Sequence, residues 1–441
     1  MTDRRYEQTL AYLYSLLPMY QKVGNQAFKK SLDNIKDLCW DLGLPQWQFK
    51  SIHVAGTNGK GSVSSMLSSI LQESGYKVGL YTSPHLASFT ERVRINGEQI
   101  PQNNVVDFVN MYRHSIEQIA PSFFELTVAM AFDYFAEQEV DIAVIEVGLG
   151  GRLDSTNIIR PEISVITNIS LDHTHLLGNT LPEIAREKGG IIKPYTPVIV
   201  GERHPETDEV FQELANQHDA PIHFAQDEYD LLATDFNPSD STRTYIQPDK
   251  SGTEKSYELD LLGDYQRKNL ATVLSTVDWL RADGWLIPSP SVDAGLRKVI
   301  PNAGLLGRMQ LIRQTPKTLC DTAHNEAGLS AVIAQLENME AAHIHIVWGM
   351  VDDKQHATIL KLLPKEATYY FVKPDVPRGL DALTLQLMAE GQDLSGTVHK
   401  SVWSGLQSAW KHANPRDLVF VGGSTFVVAD ALRALEESPQ D

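Results

Sequence analysis

The sequence predicts an α/β protein in two parts: an N-terminal domain on a mostly parallel sheet that carries a phosphate loop, then a smaller Rossmann-like α/β domain. Three observations predict it. Strand-length apolar runs alternate with helical stretches from residue 50 to 200, the pattern of a parallel sheet covered on both faces. One β–α junction, Gly56-Thr57-Asn58-Gly59-Lys60-Gly61-Ser62, combines three glycines with a lysine. A second strand–helix series begins beyond residue 300. A chain of 441 residues suits two domains, placed at 1–299 and 300–441.

Residues 5–43 read as helical, with Leu10, Leu13, Leu16 and Leu17 at helical spacing, then Leu32, Ile35 and Leu38; residues 17–24 form a loop between. Ile52 to Ala55 is a short strand, and an amphipathic helix follows from Ser62 to about Glu73. Strands are expected at 77–82, 141–147, 162–168 and 197–200, with helices at 123–138 and 183–190 between them. Ligands of such sheets sit at the carboxyl ends of strands, where the polar loops after each strand gather. Residues 236–257 are polar and turn-rich, the pattern of a surface hairpin or insertion, with a plain solvated loop the preferred reading. Residues 264–282 return to helix, and 298–307 read as a linker that would serve as a hinge. Further strands are expected at 318–320, 344–348, 369–372, 398–400 and 418–421.

Composition narrows the function. With 38 Lys and Arg against 56 Asp and Glu, the net charge of −18 argues against general nucleic-acid or anionic-membrane binding. Two cysteines, Cys39 and Cys320, suggest no disulfide framework and suit a reducing cytoplasm. The N-terminus lacks a signal-peptide apolar core, and no apolar run is long enough for a membrane span.

The glycine-rich loop is the strongest chemical signal. Its glycines let backbone N–H groups approach an anion, and the helix N-terminus adds unpaired donors and partial positive charge. Lys60 supplies a full charge and Ser62 a hydroxyl suited to Mg²⁺. The spacing departs from the common P-loop, with Gly61 between Lys60 and Ser62. Glu146 ends an apolar strand, where a carboxylate is costly unless it holds a metal or a cation. His173 suits Mg²⁺ poorly by itself and reads equally well as a hydrogen-bonded loop residue. Ser83 offers an oxygen at a neighbouring strand end, or a turn residue. Composition alone makes Lys188 a solvated surface lysine. Asp321-Thr322-Ala323-His324-Asn325 clusters polar groups after a strand, with Asn325 equally suited to cap a helix. Arg308 suits either a phosphate or a surface pair.

Taken together, the motifs resemble folylpolyglutamate synthase and dihydrofolate synthase, members of the Mur ligase superfamily. They are 56–62, Thr-Ser-Pro-His-Leu (82–86), Glu-Arg-Val-Arg-Ile-Asn-Gly (91–97), Phe-Phe-Glu-Leu-Thr (123–127), Glu-Val-Gly-Leu-Gly-Gly-Arg-Leu-Asp-Ser-Thr-Asn (146–157), Leu-Asp-His-Thr (171–174), Arg-Glu-Lys (186–188) and Asp-Thr-Ala-His-Asn (321–325). The resemblance covers almost the whole chain and implies roles. Thr57, Asn58, Gly59, Lys60, Gly61 and Ser62 would hold the triphosphate of ATP. Ser83, Glu146 and His173 match Mg²⁺ ligands. Lys188 matches a lysine that the family carbamylates, which would turn it into a ligand of a second Mg²⁺. Asn269, Arg308 and Asp321 match nucleotide contacts, and His324 belongs to the same motif as Asp321 and would face the cleft. Leu17, Pro18, Met19 and Tyr20, with Ser122, Phe123, Phe124 and Glu125, and Leu153, Asp154 and Ser155, match segments that contact the pterin. Lys60, Lys188 and His324 would be the catalytic set. Glu326, Gly189 and Leu306 depart from the family's usual residues.

The resemblance implies a two-step ligation. A substrate carboxylate attacks the γ-phosphate of ATP, and the amine of L-glutamate then displaces phosphate from the acyl phosphate. The acceptor would be dihydropteroate or a reduced folate, the partners small molecules only, and the chain a cytoplasmic monomer. Two rivals remain: a Mur-type ligase acting on another carboxylate acceptor, and a nucleotide-dependent switch that ligates nothing.

Overall fold

A computed structural model describes residues 4–16, 31–237, 241–248, 254–352 and 356–437. It divides into two compact units, residues 1–234, 244–260 and 267–305 in one, and 235–243, 261–266 and 306–441 in the other.

The first unit is built on eight strands: β1 (Lys50–Ala55), β2 (Val78–Tyr81), β3 (Val93–Ile95), β4 (Glu98–Gln99), β5 (Ile142–Glu146), β6 (Ile163–Ile166), β7 (Val198–Val200) and β8 (Ile222–Phe224). Their order is β4-β3-β2-β5-β1-β6-β7-β8. β2, β5, β1, β6, β7 and β8 run parallel, and their runs of Val, Ile and Ala are buried because helices cover both faces. Register decides what meets at the carboxyl edge. Val54 pairs with Glu146, Ala55 with Ile166 and Tyr81 with Ile145. Gly56, Glu146, Thr167 and Ser83 therefore leave the sheet at nearly one level.

β3 and β4 are an antiparallel addition at the edge. Their two-residue turn is Asn96-Gly97, with φ of 46° and 81°, the positive values that a tight hairpin needs. The helix Phe123–Glu137 is apolar on nearly every side and packs in a core with Ile35, Leu38 and Cys39 of the helix Asp33–Asp41.

Residues 236–257 are not the plain loop the sequence favoured. β9 (Leu232–Asn237), β10 (Thr242–Gln247) and β11 (Lys255–Leu259) make a three-stranded sheet. Tyr245, Tyr257 and Leu259 are buried, which anchors a segment that is otherwise polar. The stretch read as a linker also contains a short helix, Val299–Ala303.

The second unit carries β12 (Gln310–Arg313), β13 (Lys317–Cys320), β14 (Ile344–Trp348), β15 (Thr368–Phe371), β16 (Gly396–Val398) and β17 (Leu418–Gly422), in the order β12-β13-β17-β14-β15-β16. All are parallel except β12, an edge strand the sequence reading did not assign. Strand positions 398–400 shift to Gly396–Val398, because Gly396 pairs with Tyr369. Large side chains fill both faces, Trp348 and Phe420 on one and Tyr370 and Val421 on the other. No helix among the described residues is long and apolar enough to cross a membrane.

Candidate active site

The loop from Gly56 to Ser62 joins β1 to the helix Lys60–Glu73. Two of its glycines are required by space and backbone. Gly56 has φ 143°, and a Cβ there would lie 1.9 Å from Thr167 Oγ1. Gly59 has φ 86° and caps the helix; a Cβ there would lie 2.1 Å from Asn269 Oδ1. Asn269 thus packs directly against the loop.

The end of β6 braces this loop. Thr57 N–H donates to the Asn168 carbonyl (2.9 Å) and Asn58 N–H to Asn168 Oδ1 (3.0 Å). Thr57 Oγ1 donates to the Ser170 carbonyl at 3.2 Å, and Thr167 Oγ1 to the Asn58 carbonyl at 2.5 Å. With the loop so held, the first turn of the helix presents the amides of Lys60, Gly61 and Ser62 with no side chain capping them from Gly59. Thr167 and Asn168 are site-building residues the sequence reading missed; the signal was a polar pair closing a buried strand.

Two lysines converge on one carbonyl. Lys60 Nζ donates to the Gly56 and Thr57 carbonyls, each at 3.1 Å, and Lys188 Nζ to the Gly56 carbonyl at 2.9 Å. Lys188 is only 4% exposed, which overturns the surface lysine that composition favoured. Its helix, Leu181–Gly189, starts in a Thr180–Glu183 capping box and runs its last turn under the loop. Gly151 lets the 148–155 loop sit on that helix, since a Cβ there would be 2.8 Å from the Lys188 carbonyl. Burial first, and then the neighbouring Lys60 charge, push the Lys188 amine down from 10.5 to about 7, against the pull of Asp172 and Asp154.

On the other side of β1, Ser83 N–H donates to Glu146 Oε2 at 3.1 Å, so these two expected metal ligands lie together at adjacent strand ends. Glu146 is buried, whereas His173 is partly exposed, with φ 47°, at the start of the short helix Thr174–Leu177. Among the described residues no group of three or more His, Cys, Asp or Glu side chains is placed to hold a metal. One carboxylate, one hydroxyl and one imidazole make a thin set for Mg²⁺, which prefers oxygen. That set fits an ion that arrives with phosphate oxygens of its own.

Of the expected pterin segments, Leu17, Pro18, Met19 and Tyr20 lie outside the described residues. Ser122 and Glu125 form a capping box at the start of the helix Phe123–Glu137: Ser122 N–H donates to Glu125 Oε2 (2.5 Å) and Glu125 N–H to Ser122 Oγ (3.2 Å). Their side chains shape the helix entry. Phe123 packs on Phe89, with ring centroids 5.8 Å apart, and Phe124 on Tyr81, 6.2 Å apart. Leu153 is half-buried and Ser155 buried. Asp154 is buried and accepts from the Leu149 and Thr156 amides at 2.8 and 3.0 Å, which fixes the loop; burial still holds its carboxyl above the usual range.

In the second unit, Asp321 follows β13. It accepts from Tyr265 Oη and Met309 N at 2.7 Å each and from Ala323 N at 2.8 Å, which leaves little further accepting capacity. Arg308 lies near enough to pull the Asp321 carboxyl down against the larger effect of burial. His324 is exposed, and its Nδ1 donates to the Thr322 carbonyl at 3.0 Å, so Nε2 is the basic nitrogen. Asn325 is the helix cap that the sequence left open: its Oδ1 accepts Gly328 N–H at 2.9 Å. Asn325→Ala is expected to cost about 1 kcal/mol of stability, read from the urea midpoint of the full chain.

Known proteins match along these lines. The Mur ligase middle-domain model matches residues 54–277, and the Mur ligase glutamate-ligase-domain model residues 307–425. A Bacillus subtilis dihydrofolate synthase/folylpolyglutamate synthase is 33% identical over 420 residues, 92% of this chain and 95% of its own length. Among solved structures, Escherichia coli FolC in complex with DHPP and ADP superposes with a TM-score of 0.84 at 30% identity, covering 98% of this chain and 97% of its own. Mycobacterium tuberculosis folylpolyglutamate synthase, solved with ADP and AMPPCP, gives a TM-score of 0.86 at 29% identity over 99% of this chain and 100% of its own.

Proposed function

The chain belongs to the Mur ligases and, within them, to the dihydrofolate synthase/folylpolyglutamate synthase family, and on that premise we propose how it works: ATP phosphorylates the carboxylate of a folate-type acceptor, and L-glutamate takes the acyl group as an amide. The protein is an ATP-dependent ligase that adds glutamate to folates. The observation that carries the reading is the braced Gly56–Ser62 loop with Lys60 and the buried Lys188 amine on a shared carbonyl.

The two reactants of the first step are both anions and repel. Lys60 and the amides of the helix's first turn would hold the triphosphate and offset its charge as the γ-phosphoryl group moves. Lys60 leaves only neutral carbonyls when it turns to a phosphate, so its reach costs no ion pair. Ser83, Glu146 and His173 would hold Mg²⁺, which when bound neutralises phosphate charge where carboxylate and γ-phosphate meet. Asn269, Arg308 and Asp321 would position the nucleoside, and Ser122–Glu125 with Leu153–Ser155 would shape the acceptor's seat. His324 Nε2, exposed and basic, suits a proton acceptor for the incoming ammonium.

Lys188 carries the finer proposal. A neutral amine attacks CO₂ and releases a proton, leaving a carbamate. With its amine near 7, Lys188 is neutral on the order of 10³ times more often than an ordinary lysine at pH 7. The carbamate would exchange the repulsion of two adjacent ammoniums for an attractive pair with Lys60 and provide oxygens for a second Mg²⁺.

Purified protein with ATP, Mg²⁺ and L-glutamate, offered dihydropteroate and tetrahydrofolate separately, tests the function. A glutamylated product with stoichiometric phosphate is expected; phosphate release indifferent to acceptor and glutamate would favour a nucleotide switch instead. Glu146→Ala is expected to lose about 100-fold or more in turnover, with excess Mg²⁺ restoring little; a full return at high Mg²⁺ would remove Glu146 from the ligand set.

A further inference from the structure

Arg92 lies in the Glu-Arg-Val-Arg-Ile-Asn-Gly stretch, outside the phosphate loop and the metal-ligand set. It ends the short 3₁₀ helix Phe89–Arg92 and enters β3. Its carbonyl accepts Thr82 N–H at 3.0 Å, which fixes it beside Ser83. The residue is 4% exposed. Its guanidinium lies over the Phe123 ring, 5.5 Å from the centroid, and Nε donates to His85 Nδ1 at 2.7 Å. Because Arg92 Nε can only donate, His85 Nδ1 is the acceptor in that bond.

Among the described residues Arg92 makes no ion pair. The adjacent carboxylate, Glu91, is taken up by the amides of Leu86, Ala87 and Ser88 at 2.7, 2.9 and 2.6 Å. Glu146 influences Arg92 from a distance and receives the Ser83 amide. Tyr81 Oη, fully buried beside Arg92, has no hydrogen-bond partner of good geometry. A guanidinium stays charged and offers five donors, yet this one meets only neutral groups, an imidazole nitrogen, the Tyr81 hydroxyl and aromatic walls. A buried cation of that kind is a poor structural element: removing it in favour of an apolar side chain is commonly neutral or stabilising. A guanidinium in an aromatic setting that lacks its anion is instead half of a carboxylate site.

We propose that Arg92 binds the carboxylate end of the folate-type acceptor, with Tyr81 Oη as a second donor, and so sets where that carboxylate lies relative to Ser83 and Glu146. The inference rests on the function proposed above and adds a specificity residue to it. Phe123, one face of this setting, belongs to an expected pterin segment, which favours the acceptor's carboxylate over glutamate's.

Equilibrium binding of dihydropteroate and of its decarboxylated analogue to the full-length protein, wild type and Arg92→Met, tests this, with Arg92→Lys as the conservative variant and thermal unfolding alongside. Arg92→Met is expected to weaken dihydropteroate by about 100-fold, leave ATP and the decarboxylated analogue within twofold, and unfold no earlier than wild type. Arg92→Lys should fall between. Unchanged dihydropteroate binding in Arg92→Met, while the wild type still forms glutamylated product, overturns the inference alone. Equal loss of ATP, dihydropteroate and analogue with early unfolding assigns Arg92 a structural role and also overturns it. A wild-type protein that binds neither pterin overturns the functional reading and this inference with it.

Discussion

Lys60→Ala is expected to reduce turnover by roughly 10³-fold or more, with the fold retained. The side chain is the one full cation carried on the phosphate loop itself, and it would act where charge builds on the β-phosphate of the departing ADP as the γ-phosphoryl group passes to the carboxylate. Its present bonds are to two carbonyls of its own loop, so its removal strands no buried charge. The loop keeps its shape through Thr167 and Asn168, which the substitution does not touch. A melting temperature close to wild type with turnover near background is the expected pair of results. Near-normal turnover would remove the phosphate-loop assignment. The same variant should raise the Lys188 pKa, because one of the two causes holding it down is the Lys60 charge.

Lys188→Ala is expected to be as damaging, on the order of 10³-fold, for a different reason. The lysine sits where an ammonium is disfavoured twice, by burial and by Lys60, which is an odd place for a permanent cation and a suitable one for an amine that captures CO₂. Short carboxylic acids should partly restore Lys188→Ala and leave Lys60→Ala unchanged. Wild-type activity should fall as pH drops through about 7, where the amine protonates and the carbamate is lost. Carbon-13-labelled bicarbonate should give a carbamate signal absent from Lys188→Ala. An unmodified lysine in fully active protein would contradict the carbamate.

Much of this architecture was legible in the chain, and the reasons differ from element to element. β1, β5, β6 and β14 could be read because strands buried on both faces are written as continuous Val, Ile and Ala runs. The phosphate loop could be read because glycines and a lysine at a strand–helix junction are a local sequence pattern, although the side chains that require Gly56 and Gly59, Thr167 and Asn269, lie far away in sequence. The three-stranded sheet in 232–259 was harder, since only Tyr245, Tyr257 and Leu259 anchor it and the rest is polar. β3 and β4 carried a usable hairpin signal in Asn96-Gly97, but two- and three-residue strands leave little pattern. Lys188 shows the limit most clearly. Nothing in Ala-Arg-Glu-Lys-Gly-Gly distinguishes a buried amine from a solvated one; its burial comes from the packing of its helix beneath a loop more than a hundred residues earlier. Arg92 escaped for the same reason, because its lack of an ion pair among the described residues is a property of space and not of sequence.

The central claim is that the acceptor's own carboxyl oxygen becomes bonded to the γ-phosphorus before glutamate arrives. Dihydropteroate labelled with oxygen-18 in its carboxylate, turned over with ATP, Mg²⁺ and L-glutamate, tests it through the mass of the phosphate released. The account predicts one labelled oxygen in each phosphate and the other in the amide. Unlabelled phosphate formed alongside glutamylated product would contradict it.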